Sequence, residues 1–596
     1  MTSIRSTRNR IAVAIVVITA VVAVLVVRLV DIQIVQADSL NKEAYNTLSM
    51  AQTIYSPRGD IVDANGTVLA TTVIRYTVTA SPVQVASFVP TDPATGKDLP
   101  AVSPLEAAAQ IGAITGQTAD DVYGLLTADK TSGYALIVKN LNLDQYNAIR
   151  ALGIPWLQYS TDPQRVYPNG SVAGNLVGYM GDDTAAGATG TTGTGGLEAM
   201  ENQCLTGTDG LQTYEKGADG VAIPNTLTVD KRPVTGGTVV TTIDNDLQYY
   251  SQQVLAQRVT ETGAQWGSVV VEEVKTGKLL AVAQYPTADP NNLDATDSKY
   301  WGAIAFSDPF EPGSTFKAES AATLIDAGKA TPTTQILTPY RYKSPGGAVV
   351  TDAEGHDPAR WTLTGVIQES SNVGISILSA MLTDQQRYDY MKKFHLGENT
   401  EVNFLGESEG ILRTPQEWDE QTLYNTAFGQ GITTTAAQVA SMYQTLGNGG
   451  VRLPVQLVQG CRAADGTMTE VPSTHGEQVV SADAAQQTVN MMQSVVTGGY
   501  AASLLKIPGY NVAAKTGTAE VSNGQGAYGG GYLTSVAGVA PAEAPQYVVS
   551  VNIMKPVTIE DGSASAPVFQ KIMSQVLQKY RVLPSTTPAV NYPTDY

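Results

Sequence analysis

The chain has few of the side chains that most often carry acid–base or metal chemistry. Only three histidines and two cysteines occur among its 596 residues. His356, His395 and His475 lie in no ligand or triad pattern, and Cys204 and Cys461 lack the spacing of a metal site. We therefore expect neither histidine-based catalysis nor a metal or other cofactor. Because the two cysteines fall in stretches that look like different domains, we expect free thiols.

Beyond its N-terminus the chain also lacks a long basic run, and its formal net charge is −19. Proteins that bind nucleic acid usually present clustered Lys and Arg to the phosphates. Nucleic acid is therefore not an expected partner. The acidic excess is typical of a solvated surface and indicates no particular substrate.

Only one long apolar run is present, at residues 11–30, and three arginines precede it within residues 1–10. About 20 apolar residues are enough to span a bilayer. The arginines predict a cytoplasmic tail at residues 1–10 and an extracytoplasmic location for the remainder. The alternative is a cleaved signal peptide with a small-x-small site at residues 35–37. Since that site lies well beyond the apolar run, we expect a retained transmembrane anchor.

The length allows two or more domains. Residues 45–235 mix short strands and helices, and the character of the sequence changes near residue 236. The stretch 236–582 opens and closes with predicted hairpins, at 266–285 and 533–554, around a helix-rich middle. This pattern predicts an α+β domain in which helices cover an antiparallel sheet. The tail, residues 583–596, is predicted to be disordered.

The stretch FEPGSTFKAES, residues 310–320, contains a candidate nucleophile. Pro312-Gly313 is a turn signal, so a helix is expected to begin at or near Ser314. Lys317 follows three residues later and would share a helix face with the serine. A serine beside a lysine that can lose its proton pairs a nucleophile with a base. The pattern is weak alone, because a second S-x-x-K occurs at Ser503–Lys506.

Two further motifs strengthen this interpretation. Ser370-Ser371-Asn372 is an S-x-N triplet, and Lys515-Thr516-Gly517-Thr518 contains a K-T-G triplet. In this order, S-x-x-K, S-x-N and K-T-G form the signature of penicillin-interacting serine enzymes. Isolated copies also occur, an S-x-N at residues 39–41 and a K-T-G at 275–277, but only the first set has the right order within one domain.

With these motifs the chain strongly resembles the class B high-molecular-weight penicillin-binding proteins, most closely the septal (FtsI-type) peptidoglycan D,D-transpeptidases. The resemblance covers almost the full length and includes SPRGDIVDANGTVLA (56–70), RVYPNG (165–170), GLE (196–198) and FGQGITTT (428–435). It implies a single transmembrane helix, an elongated mixed pedestal domain of the dimerisation type, and a penicillin-binding transpeptidase domain. Arg58, Arg165 and Glu198 match positions that tie pedestal segments together.

The resemblance also implies a role for each residue of the first two motifs. Ser314 would attack the penultimate D-Ala carbonyl of a stem pentapeptide and form an acyl-enzyme. Lys317 would take the serine proton, although the acylation base is disputed in this superfamily. Ser370 would relay the proton to the leaving amine, and Asn372 would hold the substrate backbone.

The third motif is implied to bind the substrate. Lys515 would supply positive charge, and Thr516 and Thr518 would grip the terminal carboxylate. Gly517 would let the substrate approach the strand edge. The backbone N–H groups of Ser314 and Thr518 would form the oxyanion hole.

The implied ligands are stem pentapeptides ending in D-Ala-D-Ala and β-lactams. The implied location is the cell membrane, with the catalytic domain outside. Partnership with a SEDS-type (FtsW-like) glycan polymerase and other division proteins is also implied. The alternatives are an elongation-type class B transpeptidase, a D,D-carboxypeptidase, a non-catalytic division scaffold and a serine β-lactamase. Against the last, no E-x-x-L-N-like stretch follows Asn372.

Overall fold

The computed structural model of the protein describes residues 2–92, 95–182, 191–217, 226–524 and 528–596. Contacts divide the chain into two compact units. The first comprises Met1–Pro57, Val73–Gln164 and Gly207–Thr235, and the second comprises Arg58–Thr72, Arg165–Thr206 and Gly236–Tyr596. Two segments of the predicted N-terminal domain, 58–72 and 165–206, therefore belong by their contacts to the second unit.

The first unit begins with the helix Thr2–Val30, whose side chains from Arg8 onward are exposed. By length and composition the stretch Arg8–Val35 could cross a membrane. Apart from a π-helical turn at Asp31–Val35 and a 3₁₀ turn at Pro82–Gln84, the unit's other helices are Ala37–Leu48, Pro104–Thr115, Ala119–Thr127 and Leu143–Ala151. Its strands are Ser49–Ile54, Ala135–Leu141, Gly210–Glu215, Thr228–Lys231, the part of Leu157–Val166 up to Gln164 and the part of Val68–Ala80 from Val73 onward.

The second unit is built on a five-stranded antiparallel sheet. Its spatial order is Leu279–Tyr285, Trp266–Glu273, Tyr547–Met554, Tyr528–Ala540 and Ala513–Ser522. Every residue from Trp266 to Glu272 and from Tyr547 to Met554 is buried, so both faces of the two central strands of this layer are covered. The predicted α+β fold, with an antiparallel sheet under helices, is confirmed.

Helices of very different lengths surround this sheet. The longer ones are Asn245–Thr262, Lys317–Asp326, Asn372–Ser379, Asp384–Lys393, Ala436–Gly447, Ala482–Gly498 and Ala566–Lys579. The shorter ones are Gly174–Val177, Gly196–Met200, Asn202–Leu205, Ile304–Ser307, Leu363–Gln368, Glu420–Asn425 and Ala502–Leu505. Four further strands pair side by side with one another and with the first residues of Val68–Ala80: Met468–Thr469, Val458–Arg462, Thr238–Thr241 and Ile61–Val62. The remaining strands form two-stranded sheets: Met180–Asp182 with Thr191–Gly193, Gln335–Thr338 with Ala359–Thr362, Arg341–Lys343 with Val349–Thr351, and Val451–Arg452 with Glu477–Gln478.

A fully buried carboxylate, Glu198, joins two segments of the second unit that are distant in sequence. Its two oxygens accept hydrogen bonds from the Nε atoms of Arg58 and Arg165, each at 2.6 Å. Arg165 also donates to the carbonyl oxygen of Gly59 at 2.7 Å. Because a buried charge is stable only when it is paired and hydrogen-bonded, this cluster has the scaffold role that the resemblance implies for these residues.

The expectation of free thiols is wrong, because Cys204 and Cys461 form a disulfide. The strand Thr238–Thr241 brings them together: Val239 pairs with Cys461, and Gly237 donates its N–H to the carbonyl of Cys204. A Cβ at Gly237 would lie 2.6 Å from one sulfur and 3.0 Å from the other, so only glycine fits there. A single boundary near residue 236 assigned the two cysteines to different domains. By their contacts, however, both belong to the second unit.

The C-terminal tail was predicted to be disordered, but it is hydrogen-bonded to other segments of the second unit. Trp361 bridges Asp595 in an antiparallel arrangement, and the N–H of Thr362 donates to Thr594 O at 2.9 Å. Further along, Asn511 donates its backbone N–H to Ser585 Oγ at 2.9 Å. The tail therefore continues the pairing of the strand Ala359–Thr362, which composition alone does not indicate.

Deleting residues 585–596 is expected to lower the thermal midpoint of the second unit by several degrees, because it removes backbone hydrogen bonds from a strand edge. A Cβ at Gly365 would lie 1.9 Å from Thr594 O. Gly365→Ala should therefore destabilise the full chain but have a much smaller effect on the deleted one. Calorimetry of the four proteins measures both effects, and equal effects of Gly365→Ala in the two backgrounds would contradict the docking of the tail.

Candidate active site

Ser314 lies in a 3₁₀ turn, Gly313–Phe316, that leads directly into the α-helix Lys317–Asp326. The helix expected near Ser314 thus begins as a tighter turn and becomes α-helical at Lys317. In 3₁₀ geometry residues three apart eclipse one another. This places Lys317 Nζ 3.0 Å from Ser314 Oγ.

Lys317 is fully buried and is surrounded by groups of the S-x-N triplet. Its Nζ lies 2.7 Å from Asn372 Oδ1 and 3.2 Å from Ser370 Oγ, and it also contacts the Ser370 carbonyl oxygen. Burial, reinforced by the nearby charge of Lys515, holds the pKa of Lys317 well below its usual value, against an opposing effect of Asp352. A neutral amine is therefore accessible beside the serine.

Ser370 connects the two lysines of the site. Its Oγ accepts a hydrogen bond from Lys515 Nζ at 2.8 Å and lies within reach of Lys317. Burial lowers the pKa of Lys515 to about 7, with Glu369 acting in the opposite direction. Ser370 itself has a φ of 60°, a left-handed conformation that non-glycine residues seldom adopt outside constrained sites.

The K-T-G-T segment lies on the strand Ala513–Ser522, at the edge of the five-stranded sheet. Thr516 is buried and Thr518 is exposed. A Cβ at Gly517 would lie 2.3 Å from Ser535 Oγ and 3.2 Å from Thr315 Cγ2. Packing between this strand, its neighbour and the nucleophile turn is thus a second reason for glycine here, beside the substrate approach that the sequence analysis expected.

The structure brings the S-x-x-K, S-x-N and K-T-G-T side chains into one site, and it leaves the isolated copies of the motifs elsewhere. Ser503 and Lys506 are both exposed, and Lys275–Gly277 forms the turn between the strands Trp266–Glu273 and Leu279–Tyr285. Among the described residues, no group of three or more His, Cys, Asp or Glu side chains could hold a metal ion.

Sequence reasoning missed one buried acid beside the site, Asp352. Its Oδ2 accepts from Ser371 Oγ at 2.7 Å and its Oδ1 from the N–H of Val373 at 2.9 Å. It therefore fixes the first turn of the helix Asn372–Ser379, for which Ser371 is the N-cap. No local motif marks Asp352, because its partners lie about twenty residues further along the chain.

Comparison with known proteins agrees with the family resemblance seen in the sequence. The penicillin binding protein transpeptidase domain family matches residues 267–574, and the penicillin-binding protein dimerisation domain family matches residues 53–241. Penicillin-binding protein PbpB of Mycobacterium tuberculosis is 34% identical over 96% of this chain and 85% of the relative. Peptidoglycan D,D-transpeptidase FtsI of Escherichia coli is 29% identical over 94% of this chain and 90% of the relative.

Among solved structures, penicillin binding protein 3 of Mycobacterium tuberculosis in complex with aztreonam superposes with a TM-score of 0.68. That structure is 30% identical in sequence, and the match covers 91% of this chain and all of that one. The three motifs meet in one site, and the two family matches follow one another along the chain. The chain therefore belongs to the class B penicillin-binding proteins, with a dimerisation-type domain followed by a transpeptidase domain.

Proposed function

We propose that this protein is a peptidoglycan D,D-transpeptidase that cross-links stem peptides through an acyl-enzyme on Ser314 during septal wall synthesis. The observation that carries the proposal is the 3.0 Å contact between Ser314 Oγ and the Nζ of the fully buried Lys317. A buried neutral amine at this distance can accept the hydroxyl proton as the oxygen attacks a carbonyl. The names of the FtsI relatives support the septal assignment.

In the acylation half-reaction, Ser314 Oγ forms a bond to the penultimate D-Ala carbonyl carbon while Lys317 takes its proton. The amide bond to the terminal D-Ala then breaks, and its nitrogen receives a proton. Ser370 is suited to deliver that proton, because its Oγ lies 3.2 Å from Lys317 Nζ and 2.8 Å from Lys515 Nζ. The terminal D-Ala leaves as a free amino acid.

In the second half-reaction, an amine of a neighbouring stem peptide attacks the acyl-enzyme ester. A new amide bond forms, and Ser314 recovers its proton. Lys515, Thr516 and Thr518 line the strand edge beside the nucleophile turn, where a terminal carboxylate would find a cation and hydroxyl donors. A β-lactam carries a comparable carboxylate beside a strained amide and would acylate Ser314 in place of the peptide.

We also infer that the chain is anchored by its N-terminal helix, with residues 1–10 in the cytoplasm and the part of the chain beyond the anchor outside. The apolar stretch Arg8–Val35 supports the anchor. The Cys204–Cys461 disulfide supports the extracytoplasmic side, because disulfides persist in oxidising compartments. A SEDS-type (FtsW-like) glycan polymerase is the partner proposed for the anchor and pedestal, since a transpeptidase of this kind needs newly made glycan strands.

Cross-linking by the detergent-solubilised full chain tests the proposed function. The protein is incubated with a stem pentapeptide ending in D-Ala-D-Ala and an acceptor amine, and both free D-Ala and the cross-linked dimer are quantified. We expect the two products in equal amounts, with both lost after preincubation with penicillin. Release of D-Ala without dimer would indicate a carboxypeptidase, and rapid turnover of the penicillin would indicate a β-lactamase.

A further inference from the structure

A histidine lies directly behind the S-x-N triplet without belonging to any motif. His356 follows the strand Val349–Thr351, on the loop that also carries Asp352. Its side chain is 22% exposed, whereas that of Asp352 is 6% exposed. The imidazole is therefore open to protons from solvent while it contacts a buried acid.

Asp352 connects this histidine to the S-x-N triplet. Its carboxylate holds Ser371 Oγ and the N–H of Val373, the residues on either side of Asn372. Asn372 donates its Nδ2 to Thr351 O at 3.2 Å and presents Oδ1 to Lys317 Nζ at 2.7 Å. Through these hydrogen bonds Asp352 positions Asn372, the group that contacts the proposed base.

The two ring nitrogens of His356 both face acceptors. Nδ1 lies 2.8 Å from the carbonyl oxygen of Asp357, and Nε2 lies 3.0 Å from Asp352 Oδ2. A neutral imidazole carries one N–H and can satisfy only one of them, whereas the imidazolium donates to both. Tyr340 and Trp361 face the ring as aromatic neighbours, with centroids 6.0 and 4.9 Å away.

The charge balance at the ring agrees with this geometry. Burial lowers the pKa of His356, but the hydrogen bonds to Asp357 and Asp352 and their negative charges outweigh it and raise the pKa above the ordinary value. Because the pKa of His356 is raised in the folded state, the stabilising contribution of its protonated ring is present at low pH. That contribution is lost as the pH rises through the raised pKa. At pH values above the pKa of His356 the ring is neutral, and its ion pair with Asp352 is therefore lost.

We propose that His356 is a pH-sensitive positioning residue, whose protonated form holds Asp352 and thereby sets Ser370 and Asn372 for acylation of Ser314. This inference rests on the proposed function. Protonation of His356 acts in a second way through the same carboxylate. The charge of Asp352 raises the pKa of Lys317, so a cation beside Asp352 offsets that effect and favours the neutral amine.

The test compares the acylation rate by a fluorescent penicillin in wild type and His356→Gln between about pH 6 and about pH 8.5, the range in which histidines titrate. Glutamine keeps one N–H donor at every pH but carries no charge. Lys317 and Lys515 titrate in both proteins, so the ratio of the two rates isolates His356. We expect the ratio of the wild-type acylation rate to that of the variant to fall by about three- to tenfold with rising pH. A tenfold change would correspond to a shift of one unit in the pKa of Lys317.

The matched control is His475→Gln, because His475 is exposed and its side chain lies away from these contacts. The ratio of wild type to this variant should stay constant with pH. A constant ratio for His356→Gln as well would overturn the inference, even if acylation itself proceeds normally. No acylation of wild type at any pH would instead refute the proposed function.

A direct titration gives a second readout. With only three histidines in the chain, NMR of the ¹³C-histidine-labelled full chain resolves each ring, and His→Gln variants assign them. We expect the pKa of His356 to lie above the ordinary value for a histidine, and Asp352→Asn to lower the pKa of His356 selectively. If the pKa of His356 does not respond to Asp352→Asn, the two residues are not coupled and the inference fails.

Discussion

Replacing Ser314 by alanine is expected to abolish covalent labelling of the full chain by a fluorescent penicillin. In the proposed mechanism the acyl bond forms on Ser314 Oγ, and alanine offers no nucleophile at that position. Ser314 Oγ is the hydroxyl of the S-x-x-K motif that lies 3.0 Å from Lys317 Nζ, and Ser370 contacts the same lysine at 3.2 Å. Gel fluorescence after denaturation measures the loss, which should be complete within detection.

The chain supplies its own control for this experiment. Ser503–Lys506 has the same S-x-x-K spacing, but both residues are exposed on the short helix Ala502–Leu505 and the turn that follows it. Ser503→Ala should therefore label as wild type does. Labelling of Ser314→Ala, or loss of labelling in Ser503→Ala with the fold intact, would refute the assignment of the nucleophile.

The substitution Lys317→Arg is expected to slow acylation by about 10²–10⁴-fold, the range typical for loss of a general base. Arginine keeps the positive charge but stays protonated in proteins, so it cannot accept the proton of Ser314. Lys317, by contrast, has its pKa lowered by burial and by Lys515. Stopped-flow acylation by a chromogenic β-lactam gives the rate constant.

Two controls make the result specific. Lys506→Arg changes an exposed lysine and should leave the rate unchanged. A melting curve of Lys317→Arg shows whether the buried site tolerates the larger side chain. If the folded variant acylates within about threefold of wild type, a smaller loss than a general base normally supplies, the base must be another group. Lys515 would then be the next candidate, through Ser370.

The meeting of the three motifs in one site could be predicted because each motif carries its own local geometry. Pro312-Gly313 indicates the turn that carries Ser314, and three-residue spacing places Lys317 beside it. The hairpins at both ends of the domain follow from runs of β-branched and apolar residues, as in Trp266–Glu273. These features depend on neighbours in sequence, and the structure confirms that they meet.

The features that sequence analysis missed all depend on distant partners. Cys204 and Cys461 meet only because the strand Thr238–Thr241 lies between their segments. The tail has a composition typical of disorder, and its order comes from pairing with the strand that contains Trp361. Asp352 lies beside the site because it accepts hydrogen bonds from Ser371 and Val373, which belong to another element. Tertiary contacts of this kind leave no periodic signal in a single sequence.

The order of the strands in the five-stranded sheet determines when the active site can form. The strand Trp266–Glu273 pairs with Tyr547–Met554, although most of the domain separates them in sequence. In the proposed topology the N-terminal tail stays in the cytoplasm and the segments after the anchor cross the membrane in chain order. This pairing then cannot form until nearly all of the chain has crossed. The strand that carries Lys515 joins the sheet only through Tyr528–Ala540. With that topology the protein crosses the membrane without an active site, and it becomes able to acylate, or to be inactivated by a β-lactam, only after translocation is almost complete.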